Sequence, residues 1–146
     1  MSTRSRIAVM HGEVCKSIYC HFDGYLEGVG RTLLQHYPSD KANNLVALGD
    51  MSVLAKNLTA PEGVEHSFED RAEDTCVFYG RDRGEEDTAW QVAHSFEEFL
   101  EQVNACGGEY YYVMENGQWY CGSMDGKFER RLVLLSDALS TETVEA

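Results

Sequence analysis

Along the first third of the chain the apolar positions change period once. Ile7-Ala-Val-Met10 is a short apolar run closed by His11-Gly12, and after it Val14, Ile18 and Cys20 put an apolar row on even positions that Lys16 breaks at its entry. The two runs predict a β-hairpin across His11-Gly12-Glu13, with the second strand over 14–21. At Asp23-Gly24 the period switches: Leu26, Val29, Leu33 and Leu34 recur at helical spacing as far as Tyr37, where Pro38 disfavours helical geometry in the residue before it. A buried strand, a tight turn and a helix start therefore collect His21, Asp23, Gly24 and Tyr25 at one strand end.

Farther on, Ser39 is expected to cap a second helix carrying Ala42, Leu45, Val46 and Leu48, with Gly49 as its terminator. Residues 51–74 are weakly patterned and contain Pro61 and Gly63, which predicts an ordered lid or a mobile loop. Cys76-Val-Phe-Tyr79 and Trp90-Gln-Val-Ala-His94 read as strands, joined as a second hairpin through residues 80–88 with a turn at Gly80-Arg-Asp-Arg-Gly84. Ser95-Phe-Glu-Glu98 is a capping box ahead of Phe99, Leu100 and Val103, and Gly107-Gly108 ends that helix. Asn116-Gly117 between two aromatic-rich runs is a type I′ hairpin signal, and the leucines at 132, 135 and 139 predict a last helix. The expected fold is α+β: about six strands in an antiparallel or mixed sheet, with three or four helices on one face. One domain over 1–139 and a flexible acidic tail over 140–146 complete it.

Composition narrows the function. Five cysteines without a Cys-x-x-Cys pair, four of them in apolar segments, point to reduced core thiols. No window approaches the ~20 apolar residues of a membrane span and no apolar run of signal-peptide length opens the chain, so a soluble intracellular protein is expected. A net charge of −13 argues against direct nucleic-acid binding, which relies on Lys and Arg neutralising phosphates. The acids are scattered, with no block of five, so they form either a solvated surface or a field that imitates a polyanion.

Candidate chemistry lies in three places. His21, Asp23 and Tyr25 offer donors, acceptors and a ring at a glycine turn entering a helix, but no nucleophile or second base at a recognisable spacing, so catalysis is not expected; the choice lies between ligand contact and a structural role in which Asp23 caps the helix and His21 is a satisfied strand-end side chain. Gly24-x-x-x-Gly28-x-Gly30 lacks the glycine spacing of either phosphate-loop motif. Tyr79-Gly-Arg-Asp-Arg-Gly84 sets Arg81 and Arg83 on one loop, and with Arg4 and Arg6 these are a third of the twelve basic residues; guanidinium groups bind phosphate bidentately, while the alternative is ion pairing with Asp82, Glu85 or Glu86. Tyr110, Tyr111, Tyr112, Trp119 and Tyr120 must divide between core and an exposed face that could stack on a base or line a subunit interface, with Tyr111 facing away from its two neighbours. The histidines show no metal-ligand grouping, so neither a metal nor a cofactor is expected.

The opening Met-Ser-Thr-Arg-Ser-Arg-Ile-Ala, the block Ile18-Tyr-Cys-His-Phe-Asp-Gly-Tyr25 with Gly28-Val-Gly30, the pair His36-Tyr37, Leu48-Gly-Asp50 and Phe78-Tyr-Gly-Arg-Asp-Arg-Gly84 resemble a family of small proteins of tailed phages and prophages. Phe22 stands where that family often has tryptophan, and Leu26 where it often has proline. The resemblance extends to viral sponge proteins that sequester cyclic dinucleotide signals of bacterial anti-phage immunity (anti-CBASS proteins), holding the ligand between subunits. It implies a counter-defence protein in the cytoplasm of the infected host, a homo-oligomer that captures without chemistry. Arg4, Arg6, Arg81 and Arg83 would then meet phosphates, Tyr25, Tyr79 or Trp119 stack on bases, and His21 or Asp23 read base edges beside Gly24. The rival reading is an acidic, DNA-mimicking inhibitor of a host nuclease or CRISPR complex; a nucleotide-degrading enzyme is a further rival.

Overall fold

A computed structural model describes residues 3–126, 128 and 131–145. The hairpin predicted by the first alternation is the centre of the sheet: β1 (Ser5–His11) runs antiparallel to β2 (Val14–Cys20), from Ser5 opposite Cys20 to His11 opposite Val14. Past β2, Asp23 takes a left-handed conformation (φ 57°), which a short polar side chain tolerates. The helix after it starts as a single π turn, Leu26–Gly30, and continues as α1 (Arg31–His36). The widening has a local cause. Val29 N–H donates to Asp23 O at 2.8 Å and Gly30 N–H to Tyr25 O at 3.4 Å, so the turn winds around the Asp23 carbonyl.

α2 (Ser39–Ala47) follows, but its cap differs from the expected one. Pro38 holds the N-cap position, and Ser39, already helical, donates its hydroxyl to Met114 Sδ at 3.6 Å. β3 (Met51–Val53) comes next, and after the long loop β4 (Val77–Phe78) leads into α3 (Tyr79–Arg83). The expected turn at 80–84 is therefore one helical turn, stopped by Gly84 at φ 76°. The expected second hairpin also does not form: β4 pairs antiparallel with β3, whereas β5 (Gln91–Ala93) pairs with β2, Cys15 opposite Ala93. Both strands are too short for their pairing to be dictated by the loop between them.

α4 (Phe96–Ala105) is capped as the sequence predicts, with Ser95 Oγ accepting from Glu98 N at 3.1 Å. β6 (Tyr110–Glu115) and β7 (Gln118–Ser123) form the hairpin over Asn116 (φ 52°) and Gly117 (φ 77°). β8 (Val133–Leu134) adds to β7, and α5 (Leu135–Glu145) carries the helical backbone through most of the expected tail, whose last residue lies outside the described ones. The protein is α+β with one mixed sheet of eight strands among the described residues, ordered β4-β3-β2-β1-β6-β7-β8 with β5 on β2. β6 runs parallel to β1, Ser5 opposite Tyr110.

Strand alternation sorts the core into two layers. Ile7, Val9, Ile18, Cys20, Tyr112 and Trp119 face the π turn, α1, α2 and α5. Ala8, Cys15, Tyr111 and Val113 face the other way and are covered by Phe99 and Val103 of α4, so this helix lies on the opposite face from the rest of the helical layer. The five cysteines are thiols rather than disulfides, and Cys15, Cys20, Cys76 and Cys121 are buried.

Candidate functional site

The strand end that gathers His21 and Asp23 is fastened from two sides. Gly24 N–H donates to Thr3 O at 2.8 Å, and Tyr112, buried in the core, donates its hydroxyl to Gly24 O at 2.6 Å. A Cβ on Gly24 would stand 2.8 Å from Ser5 Cβ and from Thr3 O, so only glycine lets the turn lie this close to β1. Gly24 is thus buried scaffold, and the solvent sees its neighbours.

On the α4 side of β2 the odd-numbered row runs Cys15, Ser17, Tyr19 and then His21. Cys15 and Ser17 are buried, while Tyr19 and His21 are only half-buried. Tyr19 OH lies 2.5 Å from His21 Nδ1. Burial pushes the Tyr19 phenol up to about 12 despite the opposing field of Arg4. Burial, then the same arginine, pulls His21 below its usual 6.5. At neutral pH the phenol therefore keeps its proton and shares a hydrogen bond with Nδ1 of a neutral ring. Arg4 is exposed and lies over Gly107, where an added Cβ would come 2.9 Å from its Nη1. Phe22 meets the His21 ring edge-on at 4.5 Å and is 42% exposed. Cation, imidazole and exposed ring stand together.

A pH dependence follows. Because the folded His21 binds its proton less readily than the unfolded one, the unfolded state holds more protons between the lowered value and 6.5, and stability rises with pH across that interval. In urea titrations His21→Gln should remove the part of the decline seen as pH falls below 6.5; an identical pH profile for the variant would show another group to be responsible.

The remaining expected site residues are dispersed. Tyr25 is exposed, donates to Asp23 Oδ1 at 3.3 Å and has its phenol raised by that carboxylate. Arg6 is buried: its Nε donates to Ser17 Oγ at 2.7 Å and its Nη2 to Gln91 Oε1 at 3.0 Å, which ties β1 to β2 and β5. Trp119 is also core, donating from Nε1 to Tyr37 O at 2.8 Å. Tyr111 and Tyr112 are buried on opposite faces, and Tyr110 and Tyr120 are half-buried, so the aromatic hairpin offers core on both sides.

The Arg81 guanidinium is committed internally, to both oxygens of Asp82, to Leu58 O and to Cys76 O, and it lies over the Phe78 ring. Arg83 is free to face solvent, at 56% side-chain exposure over the Phe68 ring, with Glu85 at 3.7 Å. Tyr79 is half-buried with its ring 5.7 Å from Phe68. Tyr19 feels the fields of both Arg4 and Tyr79, and Tyr79 that of Arg83. Of the expected arginines, Arg4 and Arg83 remain on the surface.

Sequence reasoning passed over Tyr19, Phe22 and Phe68. Tyr19 was legible in principle, because it shares its strand face with His21 two positions on. Phe68, within the weakly patterned loop, gave no signal. Among the described residues no group of three or more His, Cys, Asp or Glu side chains could hold a metal, and no helix is long and apolar enough to cross a membrane. The chain matches no protein-family model, no curated protein and no solved structure.

Proposed function

We infer that the protein captures a small anionic nucleotide, in the first instance a cyclic dinucleotide immune signal, and does so without chemistry, as a phage counter-defence protein in the infected cell. One observation supports this reading above the others: Arg4, whose field reaches His21, the half-buried His21 ring and the exposed Phe22 ring share one strand end. The guanidinium is suited to bidentate phosphate contact, the outer imidazole nitrogen to a second hydrogen bond, and the Phe22 ring to stacking under a base. The surface is half a site, open on one side. A second copy presenting the same side chains would close it, which accords with a homo-oligomer that holds its ligand between subunits. Arg6, Arg81 and Trp119 support the fold and have no place in this ligand scheme.

The protein is incubated with a panel of cyclic dinucleotides, desalted and heat-denatured, and the released ligand is identified. Recovery of intact ligand is expected, and Arg4→Ala combined with His21→Ala should weaken retention by about tenfold or more, since hydrogen bonds to charged groups contribute ~1.5–3 kcal/mol each. Hydrolysed ligand would make the protein an enzyme, and no retention of any nucleotide would end the capture reading.

A specific observation favours acidic mimicry as the second reading. Arg6 is buried and bonded to Ser17 and Gln91 rather than to a carboxylate, and residues 62–74 carry six carboxylates against Arg71, so the solvent-facing balance is more negative than composition alone implies. That reading requires salt-sensitive binding to a basic protein, with Arg4→Ala having no effect.

A further inference from the structure

We propose that the cavity beneath the amino-terminal end of α4 is a separate binding site and that it takes a small organic cation with an apolar body, an alkyl- or arylammonium. The cavity has a volume of about 220 Å³. Its buried wall is made by Cys15, Ala93, Phe99 and Val113, and Glu13 and Glu115 stand at its more exposed rim. It lies at the opposite end of β1 from Arg4, roughly 20 Å away at ~3.3 Å per residue. Native interiors rarely keep voids larger than a water molecule, and a dry apolar cavity of ~150 Å³ is already enough to bind benzene.

The charges select the ligand class. Among the described residues no Lys, Arg or His lines the cavity and neither Glu13 nor Glu115 is paired with a cation. Two of the arginines on this side are engaged elsewhere. Arg6, whose field reaches Cys15 from behind the buried wall, is bonded to Ser17 and Gln91, and Arg131 is paired with Glu97. The positive end of the α4 dipole is met by Glu97 and Glu98 in its first turn, and the Ser95 hydroxyl at the rim accepts from Glu98 N–H. Apolar wall inside and carboxylates outside orient a ligand with its hydrocarbon end inward and its ammonium at the mouth. The Cys15 thiol, pushed up to about 11 by burial, stays protonated and adds to the apolar lining.

The test uses three molecules of one shape: benzylammonium, benzyl alcohol and benzoate, each titrated into the full chain while the Ala93 and Val113 resonances are followed by NMR. Benzylammonium should bind tightest, about threefold to tenfold tighter than the alcohol, with benzoate weakest. Glu13→Gln with Glu115→Gln should equalise ammonium and alcohol without weakening the alcohol. Ala93→Leu, which fills the inner end, should abolish all three; should that variant not fold, the glutamine pair still decides. Absence of any shift at Ala93 and Val113, equal binding of ammonium and alcohol to the wild type, or a preference for benzoate would each overturn the proposal. The glutamine variants leave Arg4 and His21 untouched, so nucleotide retention is read independently.

Discussion

Gly28→Ala is expected to destabilise the protein by about 3 kcal/mol, at the upper end of what single substitutions ordinarily cost. An added Cβ would lie 2.3 Å from the Asp23 carbonyl oxygen and 3.0 Å from Asp23 Cβ. The oxygen cannot retreat, because Val29 N–H is bonded to it and Gly24, the next residue, is held by Thr3 and Tyr112. The turn has to open, with loss of the Val29 bond and displacement of Leu26 and Val29, both buried beneath the sheet. Urea unfolding followed by circular dichroism would measure the change. A loss below about 0.5 kcal/mol, the scatter of ordinary surface substitutions, would show that the π turn relaxes freely.

Arg81→Ala is expected to lower stability by about 2–3 kcal/mol, whereas Arg83→Ala should change it by less than about 0.5 kcal/mol. Arg81 joins three segments: the carbonyls of Leu58 and Cys76 and the carboxylate of Asp82 all accept from it. Asp82 in turn accepts from Phe78 N–H at 2.8 Å, and His66 Nε2 stands 3.2 Å from it, within ion-pair range though out of line for a hydrogen bond. Burial raises the Asp82 carboxyl, but the Arg81 and Phe78 bonds outweigh it and hold the group below its usual 3.8. A carboxyl depressed on folding gives stability that is present above its unfolded value and lost as pH falls through the lowered one, so Arg81→Ala should flatten the acid limb of the stability curve as well. Arg83 makes one long, exposed pair, and such pairs contribute little. Equal effects from the two substitutions would show that the loop is not pinned through Arg81.

This contrast shows what residue type alone concealed. Arg81 and Arg83 look equivalent in the sequence, yet one points back under the long loop and the other out over Phe68. Arg6 is concealed for another reason. Its even position puts it on the α4 side of β1, where burial depends on β5, a strand that comes 85 residues later and was expected to pair elsewhere. The Ser95 cap, the Asn116-Gly117 turn and the first hairpin were legible because each is settled by interactions within a few residues.

The chain's own order of residues determined the α+β class, the hairpin of β1 and β2, the helix after Asp23, the capped start of α4 and the aromatic hairpin. Those features follow from apolar periodicity and turn chemistry, which act over one or two turns of chain. Only tertiary structure decided that β6 lies parallel to β1, that α4 covers the opposite face, and which arginines meet solvent. Each of those outcomes depends on which distant segment desolvates a given side chain, and local pattern carries no record of that choice.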